Sequence, residues 1–175
     1  MTPETITIKK VESCPQDFHA QISAEKKRYV YRLFHKKNPS PFLQRYTWSM
    51  RKPVNLNFLQ EASKALLGRH DFAAFQSTGT AVSTTVREIF HADWVYKPSG
   101  FMDFHIVGSG FLKQMVRNIV GTLVWLHEKE APIGALQEIL ASKDRKRAGA
   151  PAPAQGLFLA SVKYPSELDN KCRKL

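Results

Sequence analysis

Residues 101–123 read FMDFHIVGSGFLKQMVRNIVGTL and contain a strand pattern, a glycine turn and a helix pattern in succession. Residues 101–108 are rich in aromatic and β-branched side chains, which favour strands. After the turn, apolar side chains recur at i, i+3, i+4, i+7, i+8 and i+11, the spacing of a buried helix face. These side chains are Leu112, Met115, Val116, Ile119, Val120 and Leu123. The stretch therefore predicts a strand that leads into a buried helix.

The flanking sequence predicts further strands and helices. Strand patterns cover residues 5–11, 28–34, 85–96 and 157–164, and the turn signal Pro98-Ser99-Gly100 predicts a hairpin between 85–96 and 101–108. Helices are predicted from the cap Asn55 to Leu67, with Gly68 as the stop, and over 132–142, with Pro132 at the first position. This order predicts an α+β fold, in which a mainly antiparallel sheet carries helices on one face. We expect one domain over residues 1–165 and a polar tail, 166–175, that frays.

Composition limits the classes of protein and of partner. The 175 residues include 43% hydrophobic side chains, which is enough to bury a core and argues against disorder. Lys and Arg number 26 against 15 Asp and Glu, a net charge of +11. The excess lies in residues 1–52 and 111–175, and it favours nucleic acid over a membrane surface as the partner because no basic amphipathic helix is evident.

Cysteine and histidine usage predicts neither a disulfide framework nor a metal site. The two cysteines, Cys14 and Cys172, form no CxxC pair, and the six histidines form no HxxxH pair. The first residues also lack the apolar core of a secretory signal. We therefore expect a cytoplasmic protein in a reducing compartment, with no bound metal.

Two patterns of residues are candidates for binding chemistry, and each has two interpretations. In Lys26–Arg32, cations and aromatics are interleaved, and Tyr29 and Tyr31 share one strand face because they are two positions apart. Those tyrosines either meet a nucleic-acid base or pack within an edge strand. Arg117 lies at the border of the apolar helix stripe, where it either extends to water or points its guanidinium at a carboxylate.

Seven segments, taken in order, resemble landmarks of the TruA-type tRNA pseudouridine synthases. They are DFHA at 17–20, KRYVY at 27–31, LLGRHDFAAF at 66–75, VREI at 86–89, GFLKQMVRNIVG at 110–121, AP with GLFL at 152–159, and VKYP at 162–165. The resemblance covers residues 17–165, and Ser109 departs from it where family members commonly carry Asn.

The resemblance implies a reaction and a partner. Members isomerise uridine to pseudouridine in the anticodon arm of tRNA, at positions 38 to 40, without cofactor or metal, and they act as homodimers. The reacting atoms are shielded in the stacked stem, so the base must be flipped out. The family's nucleophile is an aspartate in an Arg-Thr-Asp-Ala-Gly motif, and none of the six aspartates here lies in that context. We therefore expect the C-terminal domain of such an enzyme, inactive alone; a non-catalytic RNA-binding module on the same fold is the alternative.

The resemblance also implies roles for individual residues. Tyr29 matches the tyrosine that stacks on the base and helps to remove the C5 proton, and Arg117 matches the residue that pairs with the catalytic aspartate. Apolar pocket positions are matched by Phe111, Leu112 and Leu157. From their charge, the candidate phosphate contacts are Lys26, Lys27, Arg28, Lys143, Arg145, Lys146 and Arg147.

Overall fold

A computed structural model describes residue 3 and residues 5–35, 40–50, 52–79 and 81–174. In this part of the chain the strands are β1 (Glu12–Ser13), β2 (Lys26–Phe34), β3 (Trp48–Ser49), β4 (Gly68–Asp71), β5 (Val86–Tyr96), β6 (Phe101–Gly108), β7 (Leu157–Lys163) and β8 (Arg173–Lys174). The helices are α1 (Pro41–Gln44), α2 (Leu56–Ser63), α3 (Met115–Glu128), α4 (Ala135–Ser142) and α5 (Ser166–Asp169).

Strand β2 pairs with three other strands of a six-stranded sheet. The order is β3-β2-β6-β5-β4, and β7 shares with β3 the edge of β2 that faces away from β6. Every pairing in this sheet is antiparallel except the short one between β2 and β3. The predicted β5–β6 hairpin and the mainly antiparallel sheet are therefore confirmed.

Helices α2, α3 and α4 cover one face of the sheet, which confirms the predicted α+β architecture. All six apolar side chains of the predicted helix stripe are at most 5% exposed. They pack with Tyr31 and Leu33 of β2 and with Phe104 and Ile106 of β6, which share the helix-facing side of the sheet. The helix stripe therefore holds the central strands from one side.

Several predicted boundaries differ from the structure. Helix α3 begins at Met115 and α4 at Ala135, so Pro132 precedes the helix instead of starting it. The Asn55 side chain does cap α2, but the helix ends at Ser63 and a 3₁₀ turn follows. Gly68 then uses its positive φ of 93° to direct the chain into β4.

The two ends of the chain differ most from expectation. The strand predicted over residues 5–11 is wrong: no strand pairs with it within the described residues, and Ile6, Ile8 and Val11 are each more than half exposed. The residues after Pro165, expected to fray, instead form α5 and β8. Strand β8 pairs antiparallel with β1 in a separate two-stranded sheet. The domain boundary at residue 165 stays a prediction.

A buried ion cluster holds β2 and β6 in register on the face away from the helices. Asp103 is 1% exposed and is the direct cross-strand partner of Arg32, which donates to it at 2.9 and 3.2 Å. Lys97 donates to the same carboxylate at 2.6 Å. Burial alone would raise the pKa of Asp103, but the hydrogen bonds from Arg32 and Lys97 outweigh it and hold that pKa below its usual value. The carboxylate therefore stays ionised and paired.

Helix α3 packs directly on the segment before β7 through a glycine. A Cβ at Gly121 would lie 2.8 Å from the Ala152 nitrogen and 3.1 Å from the carbonyl carbon of Ala150. Two hydrogen bonds join the same surfaces: Ala152 N–H donates to the Arg117 carbonyl at 2.9 Å, and Gly149 N–H donates to the Thr122 hydroxyl at 3.0 Å. The mid-helix glycine is thus required by a close backbone approach.

We predict that Gly121→Ala destabilises the protein by about 2 kcal/mol or more, because the added methyl overlaps the 150–152 backbone. This loss should outweigh the gain of about 1 kcal/mol that alanine offers in a helix. Gly134→Ala is the matched control, since its Cβ would meet open space at a φ of −70°. Urea unfolding measures both, and equal stability of the two variants would show that the close approach is not there.

Candidate active site

A cleft of about 420 Å³ opens where β2, β7 and the segment before α3 meet. It is lined by Ala20, Gln21, Lys27, Tyr29, Phe111, Leu159, Val162 and Tyr164. Its walls are mostly apolar, with one amine, one carboxamide and two phenols among the side chains. Such a lining suits a flat, largely apolar ring with a polar edge.

Strand β2 supplies Lys27 and Tyr29, whose side chains lie on the same face of the sheet because the two residues are two positions apart. The Tyr29 ring contacts the Phe111 ring edge to face, with centroids 5.0 Å apart and planes at 82°. Burial raises the pKa of Tyr29 above its ordinary value near 10. Among the described residues its hydroxyl has no hydrogen-bond partner. Tyr29 is therefore a neutral phenol, and within the described part of the chain its hydroxyl is available to a ligand.

A bulge in β7 places both apolar side chains of the opposite wall. Leu159 lies opposite Tyr29, and Val162 lies opposite Lys27, with Ala160 as the extra residue between the paired positions. Strict alternation from Leu159 would have turned residue 161 toward the cleft and residue 162 away from it. The bulge therefore brings Val162 into the lining, and no local sequence signal predicts it.

The third wall is the segment that precedes β2, joined to the end of β7. The Tyr164 hydroxyl donates to the Ala20 carbonyl at 2.8 Å, and its ring contacts Phe18 with centroids 5.1 Å apart. Nδ1 of His19 accepts from the amides of Gln21 and Ile22, both at 3.2 Å, which shapes the turn. The DFHA and VKYP segments thus meet at the cleft, although no site role was predicted for Ala20, Gln21 or Tyr164.

Arg117 lies one step along the sheet from the cleft, beside Tyr31. Its Nε donates to the Ala152 carbonyl at 2.7 Å, and its charge partly offsets the burial that raises the pKa of Tyr31. The Tyr31 hydroxyl donates to the Pro153 carbonyl at 2.7 Å. Within the described residues, the other two guanidinium nitrogens of Arg117 have no acceptor. They could donate to a carboxylate.

The three apolar residues for which the resemblance implies a pocket role lie in different places in the structure. Phe111 lines the cleft, whereas Leu112 is 5% exposed and packs in the core. Leu157 is half-buried and lies opposite Tyr31, against the core. A pocket role for Leu112 and Leu157 stays a prediction.

The candidate phosphate contacts of β2 lie on different faces of the sheet. Lys27 lies at the cleft, where its Nζ donates to the Gln21 carbonyl at 3.3 Å. Lys26 and Arg28 alternate onto the opposite face of the sheet. There Lys26 lies over the Phe90 ring at 4.6 Å, and Arg28 bonds to Nδ1 of His105 at 3.0 Å.

Two of the candidate cations after α4, Arg145 and Lys143, have side-chain partners within the chain. The Arg145 guanidinium donates to the carbonyls of Ala148 and Gly149 at 3.2 and 2.9 Å and to Asn118 Oδ1 at 3.1 Å, which joins the turn over 145–147 to α3. Lys143 pairs with Asp71 at 3.1 Å. Phosphate binding by Lys143, Arg145, Lys146 and Arg147 stays a prediction.

Neither a metal cluster nor a membrane helix occurs in the part of the chain that the structure describes. Across these residues, no three His, Cys, Asp or Glu side chains are grouped so that they could hold a metal ion. None of the described helices is long and apolar enough to cross a membrane.

Comparison with known proteins assigns the family. Residues 62–165 match the family model described as tRNA pseudouridine synthase, so the chain belongs to that family, and the predicted resemblance is confirmed. Among individual proteins, it is 53% identical over 173 residues to tRNA pseudouridine synthase A of Bdellovibrio bacteriovorus, covering 99% of this chain and 66% of the relative.

Other relatives give a consistent result. The chain is 38% identical to tRNA pseudouridine synthase A of Ruminiclostridium cellulolyticum, with 94% of this chain and 67% of the relative covered. It is 40% identical to the protein of that name from Syntrophotalea carbinolica, with 93% and 64% covered. The chain thus spans about two thirds of the length of the curated relatives it matches.

We predict that Tyr29→Phe and Tyr31→Phe affect stability differently. Tyr29→Phe should leave the free energy of unfolding within about 0.5 kcal/mol, because its hydroxyl has no partner among the described residues. Tyr31→Phe should cost about 1 kcal/mol or more, because it leaves the Pro153 carbonyl without its donor. Urea unfolding compares the two, and an equal loss would contradict a free Tyr29 hydroxyl.

Proposed function

We propose that the chain forms the second domain of a tRNA pseudouridine synthase and builds one side of the pocket in which uridine is isomerised to pseudouridine. The observation that carries the proposal is the cleft in which the Tyr29 phenol, held edge to face by Phe111, faces apolar side chains of β7. The substrate is tRNA, and the target uridines are those at positions 38 to 40 of the anticodon arm. Family membership supports this choice of substrate.

Tyr29 positions the flipped base. Its ring offers an aromatic face for a base, and base–aromatic stacking contributes about 1–3 kcal/mol per base. The raised pKa keeps the hydroxyl protonated, so it acts first as a hydrogen-bond group. For Tyr29 to remove the C5 proton, a cation must stabilise the phenolate, and Lys27 lines the same cleft.

Arg117 receives the carboxylate that performs the nucleophilic step. Its Nε donates a hydrogen bond to the Ala152 carbonyl, which orients the guanidinium group. Within the described residues, the N–H groups of the other two nitrogens stay available for a carboxylate. None of the six aspartates in the 175 residues lies in the family's Arg-Thr-Asp-Ala-Gly motif. The nucleophile is therefore contributed from outside these residues, and the chain by itself is inactive.

The charge of the chain supports binding to tRNA. A net charge of +11 attracts the phosphate backbone, and Lys26, Lys27, Arg28 and Arg145 are the proposed phosphate contacts. We also propose a homodimer, by family resemblance, and a cytoplasmic location, from the cysteine usage that predicts a reducing compartment. Release of one counterion per phosphate contact makes the affinity fall steeply as salt rises.

The test follows tritium release from tRNA labelled at uridine C5. We expect none from the chain alone, and release once the part of the 53% identical relative that lies outside the match is fused to it. Tyr29→Phe in the fusion should abolish release while leaving tRNA affinity within about threefold, because the phosphate contacts persist. The control, Tyr96→Phe, removes the hydroxyl of an exposed tyrosine at the end of β5 and should leave release unchanged. Release by the chain alone, or by the Tyr29→Phe fusion, contradicts the proposal.

The alternative, a non-catalytic RNA-binding module, is favoured by the absence of the aspartate motif from these 175 residues. It shares the salt-dependent tRNA affinity but predicts no tritium release from the fusion. A folded fusion that binds tRNA and stays silent would favour this alternative.

A further inference from the structure

The two cysteines of the chain lie side by side, although 158 positions separate them in the sequence. The Cys172 thiol donates to the Cys14 sulfur at 3.2 Å. Strands β1 and β8 bring them together, because Ser13 pairs with Arg173 and the next position in that register joins 14 to 172. Neither residue lines the cleft or belongs to the proposed machinery.

We infer that Cys14 and Cys172 form a reversible disulfide, a redox modification site that ties the two ends of the chain together. Residues directly opposite in an antiparallel pair have Cα atoms about 4.5–5.5 Å apart, inside the range of about 4.4–6.8 Å that a disulfide spans. The sulfurs must approach by about 1.2 Å to reach the usual S–S length, which rotation about the Cα–Cβ bonds provides. The strands therefore need no rearrangement.

The oxidant is a small-molecule disulfide such as oxidised glutathione. The Cys14 thiolate attacks one glutathione sulfur, so that an S–S bond forms to glutathione and one glutathione thiolate leaves. The Cys172 thiolate then attacks the Cys14 sulfur and expels the second glutathione. In total two protein thiols are oxidised, two glutathione thiols are formed, and reduced glutathione reverses both steps.

The surroundings select Cys14 as the first nucleophile. Its side chain is exposed, whereas Cys172 is half-buried. The hydrogen bond that Cys172 donates to Cys14 raises the pKa of Cys172 to about 11, with smaller contributions from desolvation and nearby charge. Cys172 therefore stays a thiol while that hydrogen bond is in place, and it loses its proton as it attacks the mixed disulfide at Cys14.

The disulfide would act on the wall of the cleft. Cys14 lies just before the segment that carries Phe18 and Ala20, and Cys172 follows α5, which begins two residues after Tyr164. Without the disulfide, that wall depends on the Tyr164–Ala20 hydrogen bond, the Phe18–Tyr164 contact and the two-residue strands β1 and β8. Oxidation adds a covalent tie behind these contacts and restricts movement of the wall. The inference requires nothing of the activity proposed above.

The first test is chemical and uses the reduced full chain in a glutathione redox buffer. We expect a monomer that is lighter by two hydrogen atoms, has lost both free thiols and returns to the starting mass with dithiothreitol. Cys14→Ser and Cys172→Ser should give no such species, and the remaining cysteine should take up glutathione instead. Disulfide-linked dimers, or a stable glutathione adduct on the wild-type chain, would overturn the inference.

The second test measures the effect on the wall without any RNA. Amide hydrogen exchange over residues 15–25 should slow roughly fivefold or more when the wild-type chain is oxidised, because opening of the segment is restricted. Exchange within α4 serves as the internal control and should not change. The two Ser variants should show no response to the oxidant. Unchanged exchange over 15–25 in a chain shown to hold the disulfide would overturn its role at the cleft.

Discussion

The close packing of residues 149–156 between α3 and β2 is the constraint on which the rest of the site depends. Gly121 admits the backbone of 150–152 against the helix, and a Cβ at Gly156 would lie 2.7 Å from the Tyr31 ring. The same segment accepts hydrogen bonds from the Arg117 and Tyr31 side chains at Ala152 and Pro153. The backbone of residues 149–156 therefore orients the Arg117 side chain and leads directly into β7.

The register of β7 against β2 determines which side chains line the cleft. Because β7 begins at Leu157 opposite Tyr31, Leu159 arrives opposite Tyr29, and the bulge at Ala160 turns Val162 to the same side. Phe111, placed just ahead of α3, closes on Tyr29 from the other direction. Among the described residues, the Tyr29 hydroxyl and two Arg117 nitrogens have no hydrogen-bond partner, which leaves them available for the base and the carboxylate that the proposed function requires.

Local pattern was enough to predict the parts of the fold whose periodicity is strong. The α3 stripe, the β5–β6 hairpin and the Asn55 cap each depend on neighbours within a few residues. Features that depend on distant partners were not predictable: the β1–β8 pairing joins opposite ends of the chain, and the β7 bulge has no glycine or proline to mark it. For the site, the alternation of side chains along a strand predicted that Tyr29 and Tyr31 share one face. It could not predict that Val162 and Tyr164 line the cleft.

The most direct measurement of the central claim is photo-crosslinking to a short single-stranded oligonucleotide with one 5-iodouridine, in which no base pair must open. Mass spectrometry of the digested adduct identifies the residue that touches the base. If the cleft receives the uridine, the crosslink falls on Tyr29 or Phe111, and Tyr29→Phe shifts it to Phe111 or weakens it. Crosslinks confined to the opposite face of the sheet, around Phe90 and Phe101, would contradict the cleft as the base-binding site.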